Sequence, residues 1–184
     1  MELLPKQENP WKVLRVVDVY DNAWIKLTAY DVINPSGGKG IYGKVHFKNH
    51  AVGVVALDEN KELYLVGQYR FPLERYSWEI PEGGCPLNEA PLAAAKRELL
   101  EETGLVAQSW EELLQMDLSN SVSDETATVY LATGLSQHTA MPEPTEQLVV
   151  LKRPYQEVFE RVMQAEITDS ITVAAILKLK ALGY

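Results

Sequence analysis

Three glutamates near the middle of the chain have the spacing of one face of a helix. Glu98, Glu101 and Glu102 stand at positions i, i+3 and i+4, which places their carboxylates about one turn apart on the same side. Like charges at this spacing destabilise an isolated helix, so a compensating cation is expected. Carboxylate oxygens are the ligands that Mg²⁺ and Mn²⁺ prefer. The triplet therefore predicts a divalent-metal site, although by itself the same pattern also fits a solvated acidic face.

The residues around this triplet follow a longer pattern. Its form is G-x5-E-x7-R-E-U-x-E-E-x-G-U, where U is a bulky aliphatic residue, and every specified position matches. This is the signature of the Nudix hydrolases, so the chain resembles that family. The matching positions are, in chain order, Gly83, Glu89, Arg97, Glu98, Leu99, Glu101, Glu102, Gly104 and Leu105.

The resemblance implies a fold and a reaction. Nudix hydrolases have an α+β fold, a helix–sheet–helix sandwich with a mixed β-sheet, in which the signature forms a loop–helix–loop. They use Mg²⁺ or Mn²⁺ to hydrolyse a nucleoside diphosphate linked to another moiety. By resemblance, the side chains of Glu98, Glu101 and Glu102 would hold the metal, and the backbone carbonyl of Glu82 would add a ligand.

Arg97 and Glu101 complete the catalytic set that the signature predicts. Arg97 lies on the same helix as the glutamates, where it can pair with Glu89 and with a helix carboxylate and so fix their rotamers. Taken alone, such an arginine also fits a surface salt bridge of little energetic value. Gly83 and Gly84 allow the backbone to approach the metal closely.

Residues just before the signature narrow the resemblance to one branch of the family. The run Gln-Tyr-Arg at 68–70 and the run Trp-Glu-Ile-Pro-Glu-Gly-Gly at 78–84 are similar to those of the ADP-ribose pyrophosphatases and related nucleoside-diphosphate-sugar hydrolases. In that branch Arg70 and Glu79 would face the substrate. An arginine suits a phosphate because it donates two parallel hydrogen bonds, although a salt bridge at the strand end is an alternative role for Arg70.

Two further regions are candidates for substrate contact. Trp24 could stack on a nucleobase, or it could be a core tryptophan. Ser119 and Asn120 begin a stretch, Ser-Asn-Ser-Val-Ser-Asp-Glu at 119–125, that is similar to the Ser-Pro-Gly-x-Ser-Asp-Glu stretch of ADP-ribose pyrophosphatases. Asn120 replaces the proline of that stretch. This departure leaves ADP-ribose, GDP-mannose, ADP-glucose and a broad nucleoside-diphosphate-sugar activity open.

The general base is expected outside the signature helix, because a carboxylate that binds a metal is a poor proton acceptor. In the resembling branch the base is a glutamate on a loop well after the signature. The segment 137–147 matches that loop, since prolines at 142 and 144 interrupt regular structure. Its two carboxylates, Glu143 and Glu146, are the candidates, and the position of Glu146 next to a strand favours it narrowly.

Hydrophobic periodicity and turn residues predict the elements that position these groups. A hairpin is expected from residues 51–57 and 62–69, a break at 80–84, and Asn88 as the N-cap of the signature helix. Gly104 should end that helix, and Thr168 or Asp169 should cap the last one. Strands are expected at 11–20, 24–33, 41–47, 51–57, 62–69, 108–118, 127–133 and 146–153, and helices at 88–103, 154–165 and 168–182.

Composition limits the class of protein. The chain has 184 residues, 46% of them hydrophobic, and a net charge of −9, which favours one folded domain with a small arm and argues against nucleic acid or an anionic membrane as a partner. A single cysteine, Cys85, excludes an internal disulfide and indicates the cytoplasm. No signal peptide is expected, and the uncharged apolar run 51–57 is far shorter than the roughly 20 residues of a membrane span.

The strands at the start of the chain predict the quaternary structure. We expect residues 1–50 to form an N-terminal antiparallel β-sheet and residues 51–184 to form the Nudix catalytic domain. In the resembling branch such a sheet pairs with a partner subunit. Three strands without a covering helix would otherwise expose apolar area and sheet edges. The sequence thus predicts a C2 homodimer.

Two classes of function fit the motifs. The first is a metal-dependent enzyme that cleaves a nucleoside diphosphate sugar into a nucleoside monophosphate and a sugar phosphate. The second is a non-catalytic module that senses nucleotide sugars on the same fold, which would not need to keep all of Glu98, Glu101 and Glu102. A Nudix enzyme for dinucleoside polyphosphates is a weaker enzymatic alternative.

Overall fold

The computed structural model describes residues 4–140 and 147–184. The chain forms two compact units. One contains the residues up to Lys48 together with the segment Leu118–Glu125, and the other contains Asn49–Asp117 and the residues from Thr126 onward. We call them the N-terminal unit and the catalytic unit. Among the described residues, no helix is both long enough and apolar enough to cross a lipid bilayer.

The N-terminal unit is a three-stranded antiparallel meander of β1 (Lys12–Asp21), β2 (Ile25–Ile33) and β3 (Lys39–Phe47). The expected strands are confirmed, and β3 begins two residues earlier than expected because Lys39 pairs with Ile33. At the first turn, the Oδ1 atom of Asn22 accepts hydrogen bonds from two backbone N–H groups, at 2.9 and 2.8 Å. This short polar side chain closes the turn in the way that asparagine commonly does.

Side chains of this sheet bury little surface. All ten residues of β1 are exposed, and among the described residues of this unit only Thr28 and Val32 are buried. Half of a strand's residues usually pack onto a core, so this sheet carries more exposed apolar surface than is usual. The exposed apolar residues of β1 are Val13, Leu14, Val16, Val17, Val19 and Tyr20.

The catalytic unit contains two sheets. A four-stranded sheet has the order β7-β4-β9-β8, in which β4 and β9 are parallel and the other pairs are antiparallel. A three-stranded antiparallel sheet has the order β10-β5-β6. The elements are β4 (Asn49–Ala56), β5 (Glu62–Arg70), β6 (Arg75–Glu79), β7 (Glu82–Pro86), α1 (Pro91–Thr103), β8 (Leu105–Asp117), β9 (Thr126–Gln137), β10 (Val149–Pro154), α2 (Tyr155–Met163) and α3 (Ser170–Ala181).

Helices cover both faces of the mixed sheet. On one face, Val52 and Val54 of β4 belong to a buried cluster with Ala95 and Leu99 of α1. The other face of β4 meets α3, since a Cβ atom on Gly53 would lie 2.9 Å from a methyl carbon of Ile171. The helix–sheet–helix arrangement and the mixed sheet are therefore confirmed.

The signature helix α1 begins and ends at residues that its sequence explains. Pro91 occupies the first turn, where its missing N–H is not needed and its φ angle suits a helix. The N-cap is Ala90, without a side-chain hydrogen bond, so the expectation of Asn88 as N-cap is wrong. Gly104 ends the helix with a φ of 71° and donates its N–H to the carbonyl of Leu100, as predicted.

The expected hairpin of residues 51–57 and 62–69 is wrong. Strand β4 already pairs with β7 along one edge and with β9 along the other, so no edge is left for β5. After a single bridge between Leu57 and Leu63, the chain enters β5 and joins the other sheet. The turn between them is stabilised by Asp58, whose Oδ1 accepts from the N–H groups of Asn60 and Glu62.

The expected break at 80–84 holds only for Ile80 and Pro81. Residues on both sides are strands, and β7 begins at Glu82 and pairs with β4. The carbonyl of Pro81 accepts the N–H of Val54 at 2.8 Å, which keeps the connection against the sheet. At the other end of β7, the side chain of Cys85 is buried in the cluster beneath α1, and this burial raises the pKa of its thiol.

Candidate active site

The first residues of β7 run directly beneath the carboxylates of α1. At Gly83, a Cβ atom would lie 2.2 Å from Cδ of Glu98 and 2.4 Å from both of its carboxylate oxygens. A side chain fits here only if the Glu98 carboxylate moves, because real Cβ contacts are not shorter than about 3.0 Å. The glycine of the signature thus lets the Glu98 carboxylate, in the position that it has here, approach the backbone of β7 closely.

Arg97 connects three carboxylates and one carbonyl. Its Nη1 atom donates to Glu98 at 2.7 Å and to Glu101 at 3.0 Å. Its Nη2 atom donates to Glu89 at 3.0 Å and to the carbonyl of Gly84 at 2.9 Å. Hydrogen bonding to Glu89 is the main cause that raises the pKa of Arg97. The ion pairs expected of this arginine are present, and they fix the carboxylates of the helix against β7.

Glu102 faces a different neighbour. Its side chain is buried, and its Oε2 atom accepts the backbone N–H of Glu82 at 3.1 Å. The backbone of Glu82 is therefore held next to a signature carboxylate. This places the carbonyl that the resemblance assigns to the metal on a strand residue whose position is fixed by Glu102.

A second network lies on the other side of Glu82. Glu79 at the end of β6 is 2% exposed, and both of its oxygens accept from Arg70, at 2.5 to 3.1 Å. Arg70 also donates to Oε1 of Glu82 at 2.7 Å. Burial opposes the charged guanidinium, but the hydrogen bond and charge of Glu79 outweigh it and raise the pKa of Arg70.

Three carboxylates meet around this arginine. Oxygens of Glu79, Glu82 and Asp169 lie within 4.8 Å of one another, close enough to share a cation. Burial, followed by the charge of Asp169, raises the pKa of the Glu82 carboxyl well above its ordinary value. Within the part of the chain that the structure describes, the buried Oε2 atom of Glu82 has no hydrogen-bond partner.

Asp169 joins this site although the sequence predicted only a capping role for it. The cap is confirmed, because its Oδ2 atom accepts the N–H of Thr172 at 2.7 Å. Its approach to Glu79 and Glu82 depends on the packing of α3 against the sheets. The run of residues around Asp169 carries no motif that reveals this, so local sequence could not have found it.

The donors around α1 and β7 fit a hard divalent cation. The set consists of glutamate carboxylates and a backbone carbonyl, which are oxygen ligands of the kind that Mg²⁺ and Mn²⁺ bind. Gly83 leaves room beside Glu98 that a Cβ atom would fill. The residues that would hold the cation are Glu98, Glu101, Glu102 and, through its carbonyl, Glu82.

The structure divides the predicted site residues between the two units. Arg70, Glu79, Glu82, Arg97, Glu98, Glu101 and Glu102 belong to the catalytic unit, where the contacts above bring them together in two linked networks. Trp24, Ser119 and Asn120 belong to the N-terminal unit. Trp24 is 68% exposed, so it is not a core tryptophan. Glu143 and Glu146 lie outside the described residues.

The match to a family of known proteins decides the class. Residues 48–170 match the NUDIX domain. The chain belongs to the Nudix family. The chain is therefore a Nudix pyrophosphohydrolase, an enzyme that hydrolyses phosphoanhydride bonds.

Two relatives that are named ADP-ribose pyrophosphatase support the same assignment, and a third relative has a different name. The chain is 36% identical to the ADP-ribose pyrophosphatase of Mycobacterium tuberculosis over 155 residues, which are 82% of this chain and 74% of that protein. It is 30% identical to the ADP-ribose pyrophosphatase of Bacillus subtilis over 171 residues, 92% of each chain. The methanol dehydrogenase activator of Bacillus methanolicus is 31% identical over 173 residues, again 92% of each chain.

A solved structure supports the fold. The crystal structure of an ADP compounds hydrolase superposes with a TM-score of 0.85 and covers 97% of this chain and 96% of its own. The two sequences are 20% identical, so the similarity concerns the fold alone.

Proposed function

We propose that the protein hydrolyses nucleoside diphosphate sugars in a reaction that depends on Mg²⁺ or Mn²⁺. The products would be a nucleoside monophosphate and a sugar phosphate. The observation that carries this proposal is the arrangement of Arg97 with Glu89, Glu98 and Glu101 next to Gly83 and Gly84 of β7. Two relatives named ADP-ribose pyrophosphatase support the substrate class.

In this proposal the residues of α1 and β7 hold the cation. Glu98, Glu101 and Glu102 offer carboxylate oxygens, and Glu82 offers its backbone carbonyl. When bound there, a divalent cation neutralises phosphate charge and lowers the pKa of a bound water. Arg97 keeps the glutamates in place, which matters because the groups that hold a ligand in its orientation contribute strongly to metal affinity.

Other residues would orient the substrate. The side chain of Arg70 is 35% exposed, and Glu79 fixes the plane of its guanidinium, so the guanidinium can donate to a phosphate oxygen. The exposed ring of Trp24 offers a face on which a base can stack. Ser119 and Asn120, both exposed, offer hydroxyl and amide groups for hydrogen bonds to the substrate.

A substrate panel tests the proposed function. Purified protein is incubated with ADP-ribose, ADP-glucose, GDP-mannose and a diadenosine polyphosphate, each with Mg²⁺, with Mn²⁺ and with EDTA, and products are separated by chromatography. We expect two phosphomonoesters from at least one of the sugars and none with EDTA. Direct release of orthophosphate, or turnover of the dinucleotide alone, would contradict the proposal. The E102Q variant serves as a control for contaminating activity.

The proposal for the general base depends on the resemblance of one loop to that of the related enzymes. Glu143 and Glu146 are the carboxylates of the loop that matches the base-bearing loop of the resembling branch. At saturating metal and substrate, E143Q and E146Q should be compared, and the one that removes the base should lose roughly 10²–10⁴-fold in kcat with little change in metal affinity. If both variants lose no more than a few-fold in kcat, another group accepts the proton and neither glutamate is the general base.

The quaternary structure is proposed as a homodimer, with residues 1–50 as the dimerisation sheet. The support is the row of exposed apolar side chains along β1, from Val13 to Tyr20, because exposed apolar strands commonly mark interfaces. Sedimentation equilibrium at micromolar concentration should give twice the chain mass of 20.7 kDa. A single-chain mass would refute the dimer. A V16K/V19K double variant, which adds charge to β1, should dissociate it.

A further inference from the structure

A cavity of about 250 Å³ in the catalytic unit is lined by residues of the sheet β10-β5-β6, of α2 and of the turn between α2 and α3. Protein interiors contain few voids larger than a water molecule, which occupies about 30 Å³ in the liquid. The cavity therefore has room for a ligand of roughly eight or nine non-hydrogen atoms. None of the residues assigned above to the metal or the substrate lines it.

The apolar part of the lining is mostly buried. Leu65 of β5 and Leu151 of β10 lie directly opposite each other, and Leu65 and Ile167 are 2% and 3% exposed. The indole of Trp78 completes this apolar wall. Its ring packs over Gly67 of the neighbouring strand, because a Cβ atom there would lie 2.7 Å from a ring carbon. Aliphatic side chains with one aromatic ring are the usual walls of small-molecule sites.

The rest of the lining is charged and more exposed. The side chains of Arg153, Arg161 and Glu166 are 41%, 48% and 51% exposed. Arg161 donates from Nη1 to Glu166 at 2.7 Å, and from Nε and Nη2 to Glu157 at 3.0 and 2.9 Å. Its orientation is therefore fixed, and these two carboxylates offset its charge.

Arg153 differs from Arg161 because it keeps a donor edge. Its Nη1 atom donates to the carbonyl of Lys152 at 2.8 Å, while its Nε atom is 3.6 Å from Oε1 of Glu157, too far for a hydrogen bond. Within residues 4–140 and 147–184, its Nη2 atom has no hydrogen-bond partner. A planar guanidinium edge of this kind binds carboxylates through charge-assisted hydrogen bonds. The lining therefore combines an apolar wall with one positive group that is open to a ligand.

The turn that borders the cavity has a fixed shape. Ala165 adopts a φ of 58°, an uncommon conformation for a residue other than glycine. The carbonyl of Arg161 accepts the N–H of Glu166 at 2.9 Å. Arg75 of β6 donates to the hydroxyl of Thr168 at 2.9 Å, which attaches the end of the turn to the sheet. A border held in this way suits a pre-formed ligand site.

We propose that this cavity binds a small planar monocarboxylate. The apolar body of the ligand lies against Trp78 and the aliphatic wall, and its carboxylate accepts hydrogen bonds from Arg153. This site is separate from the proposed active site, because Trp78 and Glu79 are consecutive residues of β6 and their side chains point to opposite faces of the sheet. The proposal does not depend on the proposed function.

Nuclear magnetic resonance of the ¹⁵N-labelled full chain tests the proposal through the indole N–H signal of Trp78, one of four tryptophans. The W78F variant assigns this signal by its loss. Wild type is titrated in EDTA with benzoate, with benzamide, which has the same size but no charge, and with inorganic phosphate. The titrations are repeated with R153M, which removes the proposed donor, and with L151F, which fills part of the cavity. R15M, at an exposed arginine of β1, is the matched control.

Benzoate should shift the Trp78 signal until it saturates, with a Kd in the millimolar range or below. Benzamide and phosphate should each bind about tenfold more weakly or worse, since benzamide lacks the charge and phosphate lacks the apolar body. R153M should weaken benzoate binding by about tenfold or more, L151F should weaken it as well, and R15M should leave it unchanged. Because Arg153 is partly exposed, R153M should keep the fold, and the dispersion of its amide signals checks this.

Three results would overturn the proposal. If benzoate at tens of millimolar leaves the Trp78 signal unmoved, the cavity does not bind this class of ligand. If R153M binds benzoate as tightly as R15M does, Arg153 does not bind the carboxylate. If benzamide binds as tightly as benzoate, the site does not recognise a negative charge, and the proposed ligand class is wrong.

Discussion

The two units hold their proposed site residues in different ways. In the catalytic unit, Arg97 and Arg70 each bind two or more carboxylates, and the glutamates involved are buried or half-buried. In the N-terminal unit, Trp24, Ser119 and Asn120 are exposed. A single carboxylate, that of Asp124, connects the segment of Ser119 and Asn120 to β3 with three partners.

This difference predicts which kinetic constant should change when a proposed site residue of each unit is replaced. Buried and fully paired polar networks have a fixed geometry, and loss of one member disturbs the others. Such networks suit groups that must stabilise developing charge, so their variants should lower kcat. Exposed groups that only contact bound substrate should change KM. Three predictions below test the expected loss of kcat in the catalytic unit, in order of decreasing effect, and a fourth compares the stability of the two units.

Glu102→Gln should have the largest effect. The substitution keeps the size of the side chain and an oxygen that accepts the N–H of Glu82, so the fold should survive, but it removes the charge of a proposed metal ligand. We expect kcat to fall on the order of 10³-fold or more, since a bound cation contributes several kcal/mol to the transition state. E111Q, at an exposed glutamate of β8, is the control. Near-wild-type turnover of E102Q would mean that Glu102 does not hold the cation.

Gly83→Ala should have the next largest effect. The new methyl group would lie 2.2 Å from Cδ of Glu98, and the carboxylate must move away. A displacement of about 1 Å at such a group commonly costs on the order of 10²-fold in rate. Titration of Mn²⁺ should show weaker binding as well.

Gly43→Ala is the control for this substitution. A Cβ atom at Gly43 of β3 meets no other atom within 4 Å, so this variant should keep wild-type kcat and Mn²⁺ affinity. Equal rates for both glycine variants would show that the close contact at Glu98 has no part in activity.

Arg97→Lys should have a smaller effect. Lysine keeps the positive charge but cannot contact Glu89, Glu98 and Glu101 together with one planar group. Loss of a residue that orients metal ligands typically costs about 10- to 100-fold in metal affinity or activity. The control is R161K, because Arg161 pairs with exposed Glu157 and Glu166 on the surface. A larger change for R161K than for R97K would contradict the assigned role.

The dependence of stability on pH should differ in sign between the units. Because the pKa of Glu82 is raised in the folded state, wild type should lose stability as pH rises above the ordinary glutamate pKa of 4.5 and through the raised value. In EDTA, E82Q should therefore become more stable than wild type over this range. The pKa of Asp124 is lowered from 3.8 to about 2, so its contribution is present above pH 4 and is lost as pH falls toward 2.

D124N should accordingly become slightly less stable than wild type above pH 4, by an amount kept small by the solvent exposure of Asp124. Thermal unfolding of wild type, E82Q and D124N between pH 3 and pH 9 measures both effects. If E82Q instead loses stability relative to wild type as pH rises, the pKa of the Glu82 carboxyl is not raised in the folded state.

Sequence could predict the parts of the molecule that depend on local chemistry. The ends of α1 follow from a proline and a glycine, the carboxylates of Glu98 and Glu101 share a face because they are one turn apart, and the ion pair of Arg97 with Glu89 follows from the signature. The strands of the N-terminal unit follow from alternating apolar residues and from turns closed by Asn22 and Asn34.

The parts that were missed depend on contacts between distant segments. The hairpin of 51–57 and 62–69 looked favourable locally, but β4 has both edges occupied by β7 and β9. Asp169 reaches Glu79 and Glu82 from the start of α3, and the attachment of the segment Leu118–Glu125 to β3 requires that Asp124 meet residues far earlier in the chain. The spacing of residues along the sequence does not predict which distant segments meet in the fold.

The buried position of Cys85 gives the protein a built-in reporter. It is the single cysteine of the chain, it is 1% exposed, and it lies in the cluster beneath α1 with Ala94 and Leu99. A thiol reagent can reach it only when the packing of α1 against β7 opens, so the labelling rate measures the opening of this part of the signature. Protection by added metal or substrate could then be followed without a catalytic assay, even in variants that no longer turn over.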